Sequence, residues 1–175
     1  AHKIVNGESP DLSNNGKDFF HMERPNPYTS AQTVASLCSE RLPNAYDWDP
    51  FADIQVICPS KKGETGTQNL NRLLQSALNP PDKTKGEIIV AGQTFRTGDK
   101  IMQIKNNYNI EWESKDEKGK GIFNGDIGIL KNIDSKTNVI EVDFDGRDAI
   151  IPAENLTELE LAYAVTVHKS QGSEF

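Results

Sequence analysis

Apolar residues recur at helical spacing in two stretches of the chain. In "YTSAQTVASLCSERLP" they fall at Ala31, Val34, Ala35, Cys38 and Leu42. In "NLNRLLQSALNPP" they fall at Leu70, Leu73, Leu74, Ala77 and Leu78. Thr29 with Gln32 matches a capping box for the first helix, and Pro43 marks its end. Pro80-Pro81 ends the second. Between them "ADIQVICPS" is an apolar run closed by Pro59, the pattern of a buried parallel strand. Phe19-Phe20-His21-Met22 reads as a short strand, and residues 1–18 read as a polar connecting segment. Helix, strand, loop, helix predicts an α/β fold.

From about Lys85 the period shortens to two. Ile140, Val142 and Phe144 alternate with Glu141 and Asp143, and Asp145-Gly146 supplies a two-residue hairpin turn before "RDAII". Four or five short strands across residues 86–152 predict a small β-barrel, with "ESKDEKGKG" (113–121) as a charged loop between them. At "NLTELELAYAV" the texture returns to α/β, so the β module reads as an insertion into an α/β domain.

Composition narrows the class. The chain has 175 residues, 35 % apolar and 26 % charged, in the range of a soluble globular protein. No apolar run approaches the roughly 18 residues needed to span a bilayer, and with no basic-then-apolar stretch to suggest it, secretion is not expected. Cys38 and Cys58 lie inside apolar patterns without metal-ligand spacing, as expected of reduced core cysteines in a cytoplasmic protein. The net charge of −7 argues against a free-standing nucleic-acid binder, so any DNA contact is expected to be local. The chain starts at Ala1 and stops just behind a polar stretch, so it is expected to be a fragment.

Most enzyme motifs are absent. There is no G-x-x-x-x-G-K-[ST] loop. "VIEVDFD" alternates too strictly for a magnesium-holding strand, and Gly146 is misplaced for a calcium loop around Asp143, Asp145 and Asp148. Asn155-Leu156-Thr157 fits a glycosylation acceptor only in a secreted protein. His2, His21 and His168 have no nucleophile or carboxylate at a diagnostic spacing, and no metal site is expected.

Two loops carry chemistry. In "PSKKGETGTQNLN", Lys61, Lys62 and the glycines, Gly63 among them, put positive charge and backbone N–H groups near a helix start, where anions are stabilised. The same residues also fit a solvated turn. In "TVHKSQGSEF", Thr166, His168 and Ser170 suit phosphate oxygens, while Gln171 and Glu174 could face a nucleotide with Gly172 allowing close approach. A polar helix start capped by Ser170 or Ser173 fits equally well.

"AYAVTVHKSQGSEF" closely resembles motif V of superfamily-1 helicases of the RecD type, and the related UvrD-like pattern is T-V-H-x-x-x-G-x-E-F. "IQVICPSKKGETGTQNLNRLLQSALNPP" is similar to the motif IV region of that subfamily. "FRTGDKIMQIKNNYNIEW" and "GIFNGDIGIL" resemble its SH3-like insert, and "AHKIVNGESPDL" resembles the segment after motif III. The likeness covers nearly the whole chain and is nearest to stand-alone bacterial RecD-like helicases, the group named with the exodeoxyribonuclease V alpha chain.

The resemblance implies a partial RecA-like domain of the P-loop-NTPase type, the second motor domain, at residues 1–84 and 153–175, with an SH3-like barrel inserted at 85–152. It implies that Thr166, His168 and Ser170 touch single-stranded DNA, and that Glu174 approaches the nucleotide ribose beside Gly172. Gln171 stands where many UvrD-like relatives have a phosphate-contacting lysine, and Lys61, Lys62 and Gly63 would line the nucleotide cleft. The implied activity is ATP-dependent 5′-to-3′ DNA unwinding with ATP and Mg2+, both needing a first motor domain, by a monomer that works with repair or recombination proteins. The phosphate-binding loop, the magnesium-holding acids and the arginine of motif VI are missing, so this segment alone is expected to be inactive. The rival reading is a non-catalytic nucleic-acid- or protein-binding module built on the barrel, for which residues 86–152 would bind alone.

Overall fold

The computed structural model describes residues 2–10, 12–13, 19–134 and 136–170. A single turn, α1 (His2–Val5), precedes α2 (Pro27–Ser36). The cap of α2 is Asn26, whose Oδ1 accepts the N–H groups of Tyr28 at 2.9 Å and Thr29 at 3.3 Å, with Pro27 in the first turn. The start therefore lies ahead of the expected Thr29–Gln32 box. Nor does Pro43 stop the run. A π-helical turn, Leu37–Arg41, leads into α3 (Leu42–Tyr46), which contains Pro43 and ends at left-handed Asp47. The wider turn carries the chain past the missing proline N–H, which an unbroken α-helix tolerates poorly. Phe19–Met22 forms no strand. All four residues are exposed, and no ladder partner adjoins them among the described residues.

The apolar run at 52–60 yields β1 (Val56–Cys58), which leads through a loop to α4 (Thr67–Leu78). Leu70 and Leu74 of the predicted stripe are buried, and Leu73 and Leu78 pack at the edge of the same core.

The β region holds more strands than the texture announces. A hairpin of β2 (Glu87–Val90) and β3 (Gln93–Arg96) is followed by β4 (Lys100–Gln103), β5 (Asn107–Glu113), β6 (Lys118–Ile122), β7 (Ile127–Asp134), β8 (Val139–Phe144) and β9 (Arg147–Ile151). A 3₁₀ segment, Ala153–Glu158, leads to β10 (Leu159–Leu161) and β11 (Ala164–Thr166). The main sheet has the order β10-β4-β7-β8-β9-β5-β6, so it draws β10 from beyond residue 152. Along β8, Ile140, Val142 and Phe144 are buried and Glu141 and Asp143 are not, as the alternation predicts. Asp145 and Gly146 both adopt positive φ, 54° and 80°, the signature of the expected type I′ hairpin turn.

Residues 113–121 are not a free charged loop. They form the β5–β6 hairpin, with Glu111 paired to Lys120 at 2.7 Å and Glu113 to Lys118 at 2.9 Å across the strands. Opposite charges placed face to face support a two-stranded ladder.

One contiguous apolar core joins Ala31, Cys38 and Leu74 of the helices and Cys58 of β1 to Phe95, Ile101, Leu130 and Phe144 of the β region. Both cysteines are free and buried. Burial pushes the Cys38 thiol up to about 11, against the pull of Lys100, and pushes Cys58 up as well. At pH 8.5 Cys38 should thus carry about two orders of magnitude less thiolate than an ordinary cysteine. Iodoacetamide labelling of native protein, read by mass spectrometry, should leave both cysteines unmodified until urea unfolds the chain. Rapid labelling of Cys38 in the native state would contradict the buried placement.

Candidate functional site

β1 and β11 pair in parallel, Val56 against Ala164, Ile57 against Val165 and Cys58 against Thr166. Their carboxyl ends open at one edge, so the two loops singled out in the sequence emerge side by side. Val167 N–H donates to Cys58 O at 2.9 Å and extends the pairing into the second loop.

α4 fixes this edge from behind. Asn71 Nδ2 donates to the carbonyls of Leu161 at 2.9 Å and Ala164 at 3.0 Å, and its Oδ1 accepts the Ala164 N–H at 2.8 Å. Gln55 Nε2 lies within 3.2–3.3 Å of the carbonyls of Val56, Ala162 and Tyr163. Two amide side chains thus satisfy backbone groups where β10 bends into β11.

The loop after β1 folds tightly onto the start of α4. Thr67 N–H donates to Ser60 O and Gln68 N–H to Lys61 O, both at 3.1 Å, and Gly66 N–H donates to Gly63 O. The Thr67 and Gln68 N–H groups are therefore satisfied internally and are not offered to an anion. Lys61, Lys62 and Gly63 are exposed, and Gly63 has φ 90°.

The loop after β11 turns at once. The N–H groups of Lys169 and Ser170 both donate to Thr166 O, and Ser170 Oγ donates to Val167 O at 2.8 Å. Thr166 is buried, Ser170 is half-buried, and His168 is exposed. Gln171, Gly172 and Glu174 lie outside the described residues.

Two groups that sequence reading passed over join the loops. Glu160 of β10 reaches Lys61 Nζ through Oε1 at 3.3 Å and Lys169 Nζ through Oε2 at 3.6 Å. Burial pushes the Lys169 ammonium down, Glu160 pulls it back up, and the nearby Lys61 charge adds to the lowering. Lys169 sat in plain view within "TVHKSQGSEF". Glu160 could be found only from its place between buried Leu159 and Leu161. A cleft of about 440 Å3 lies beside the pair, lined by Lys61, Thr67, Gln68, Glu160 and the β2–β3 turn.

The larger groove, about 1440 Å3, lies elsewhere, on the outer face of the sheet. Glu111, Glu113, Glu141, Asp143, Asp148 and Glu154 line it against Lys115, Lys118, Lys120 and Lys131, an acidic excess ill-suited to a phosphate backbone. Among the described residues no group of three or more His, Cys, Asp or Glu side chains is placed to hold a metal ion, and no helix is long and apolar enough to cross a membrane.

Comparison with known proteins gives the context of this edge. Residues 70–144 match the SH3 domain of ATP-dependent RecD-like DNA helicases. The whole chain is 33 % identical to the ATP-dependent RecD2 DNA helicase of Deinococcus radiodurans over 175 residues, 21 % of that protein. It is 30 % identical over 128 residues to the RecBCD enzyme subunit RecD of Buchnera aphidicola subsp. Schizaphis graminum, covering 71 % of this chain and 19 % of that subunit. An uncharacterized protein of Methanocaldococcus jannaschii is 34 % identical over 148 residues, 74 % of this chain and 12 % of its own length. The chain spans about a fifth of the length of the RecD relatives it matches. By sequence the chain is similar to one segment of the RecD-type DNA helicases, and its residues 70–144 match the SH3 domain of that family.

Proposed function

We propose that this chain is part of an ATP-dependent 5′-to-3′ DNA helicase, comprising RecA-like second-motor-domain segments at residues 1–84 and 153–175 around an SH3-like barrel at 85–152. The observation that carries the reading is the convergence of two loops at the carboxyl ends of the paired parallel strands β1 and β11, where open α/β sheets bind ligands. The similarity to a RecD2 helicase across all 175 residues supports it.

In this reading Lys61, Lys62 and Gly63 line one wall of the ATP cleft, with Gln171, Gly172 and Glu174 completing the nucleotide side. The exposed His168 contacts the phosphodiester backbone of single-stranded DNA directly. Buried Thr166 and internally bonded Ser170 shape the turn that presents it. The barrel offers bases a stacking surface at Tyr108 and Phe123, an exposed pair with ring centroids 5.5 Å apart. ATP and Mg2+ would both require a first motor domain beside this segment. Lacking a phosphate-cradling loop, the segment by itself would turn over no ATP.

The test is ATP turnover by the full-length protein carrying this sequence, with and without single-stranded DNA. DNA should stimulate turnover, and His168→Ala should reduce the stimulated rate about tenfold, the loss expected for one phosphate hydrogen bond. No turnover under any condition would remove the helicase reading and leave the barrel as a non-catalytic binding module.

A further inference from the structure

The geometry points to Glu160 as a built-in counter-anion that holds Lys61 and Lys169 together until a phosphoryl oxyanion displaces it. The inference rests on the reading of these loops as a phosphate-facing surface, and it adds two residues, Glu160 and Lys169, to that surface.

Three features carry it. First, the lysines come from different loops, one after β1 and one after β11, and converge on a single carboxylate. Two ammonium groups held this close repel unless an anion sits between them, and Glu160 fills that role by giving each lysine its own oxygen. Second, both contacts are loose. At 3.3 and 3.6 Å they are longer than the 2.7–2.9 Å of a strong charge-assisted hydrogen bond. The side chains of Lys61 and Glu160 are 53 % and 44 % exposed and that of Lys169 is 21 %, so the Lys61 arm above all exchanges with solvent anions at little cost. Third, Lys61 and Glu160 border the cleft of about 440 Å3, which gives an entering oxyanion room beside them.

The exchange follows from charge and from the number of oxygens. A nucleotide's terminal phosphate carries more negative charge than a carboxylate, a phosphodiester carries the same single charge, and each offers oxygens to both lysines at once. On its arrival Glu160 would swing into solvent, and the loops after β1 and β11 would close on the ligand instead. Because Glu160 belongs to β10, which pairs with β4 of the SH3-like sheet, the competing anion is delivered by the sheet and not by either loop. The displacing group would be the phosphate of a nucleotide or of a DNA backbone.

The test uses the full-length protein as wild type, Glu160→Gln, and a triple variant that adds Lys61→Gln and Lys169→Gln. Inorganic pyrophosphate binding is measured by calorimetry, and binding of a non-hydrolysable ATP analogue and of a labelled oligothymidylate by fluorescence. Glu160→Gln should tighten pyrophosphate roughly three- to tenfold, the scale of removing two exposed ion-pair contacts, and the triple variant should lose that gain. A matching gain for the ATP analogue identifies the nucleotide as the source, and one for the oligonucleotide identifies DNA. Glu141→Gln, on the outer face of the sheet, makes the same change in net charge and should leave all three affinities unaltered. Unchanged or weakened pyrophosphate binding in Glu160→Gln overturns the inference, as does an equal gain in Glu141→Gln. Calorimetry needs no turnover, so a protein that fails to hydrolyse ATP would defeat the helicase reading without deciding this one.

Discussion

Replacing Asp99 with alanine is expected to cost the protein about 3–5 kcal/mol of stability, a large part of what holds an ordinary domain folded. Asp99 is fully buried at the end of the β3–β4 turn, and four donors converge on its carboxylate. Oδ1 accepts from Asn79 Nδ2 at 2.7 Å and from the Tyr163 hydroxyl at 2.9 Å. Oδ2 accepts from Gln75 Nε2 at 2.6 Å and from the Arg96 N–H at 2.7 Å. These donors belong to α4, to β3 and to the corner between β10 and β11, so the carboxylate fastens the SH3-like sheet to the helix behind the candidate site. Burial pushes the Asp99 carboxyl up while the four hydrogen bonds pull it down. Alanine would strand four buried donors at once, each with its own desolvation penalty. Asp99→Asn keeps the shape but turns an amide N–H toward groups that are themselves donors, so about 2 kcal/mol should still be lost. Urea unfolding followed by circular dichroism measures both. A Asp99→Ala loss under about 1 kcal/mol would show that the network is not what joins the two layers.

That network marks the boundary of what the chain reveals before it is folded. The stripe Leu70–Leu78 and the alternation Ile140-Val142-Phe144 with its Asp145-Gly146 turn are local signals, and each became the element expected of it; the run before Pro59 gave the parallel strand but not its full burial, since Ile57 at its centre is exposed. Asp99, Gln75, Asn79 and Tyr163 are scattered over nearly ninety positions, and only the fold brings them together. The β5–β6 hairpin was hidden for a related reason. Glu111, Glu113, Lys118 and Lys120 look like solvated loop residues until strand pairing sets each charge opposite its partner. Pro43 misled because a stop signal assumes an α-helix throughout, whereas the π turn ahead of it absorbs the proline. At the candidate site, the sequence alone picked out both loops, since the residue types in "PSKKGETGTQNLN" and "TVHKSQGSEF" are unusual in themselves. It could not show that the first N–H groups of α4 are already taken, nor that a glutamate on β10 faces both lysines. Both facts depend on which way a loop folds, and periodicity carries no such information.

The second large effect is expected at Gly66. Its backbone, at φ −81° and ψ 159°, is open to any residue, so conformational freedom is not the reason for glycine. Space is. A Cβ there would lie 2.4 Å from Lys62 O and 2.7 Å from Lys61 C, both backbone atoms that cannot swing aside as a side-chain tip could. Gly66→Ala must therefore push the whole turn off the start of α4. Ser60 and Lys61 would then withdraw the carbonyls that cap Thr67 and Gln68, and Lys61 would leave Glu160. Stability should fall by about 1–3 kcal/mol, as for an overpacked site. If the full-length protein is the helicase proposed above, its DNA-stimulated ATP turnover should fall roughly tenfold to a hundredfold, since small misplacements of positioning groups are costly. Gly63→Ala separates space from strain within the same loop. Its φ of 90° disfavours a side chain, but nothing lies within 4 Å of the added carbon, so about 1–2 kcal/mol of backbone strain should be its whole cost and the loop should stay in place. If Gly66→Ala turned over ATP like the wild type while Gly63→Ala did not, flexibility at Gly63 would matter more than close packing at Gly66. The tight fold of Lys61 and Lys62 against α4 would then be incidental to the activity.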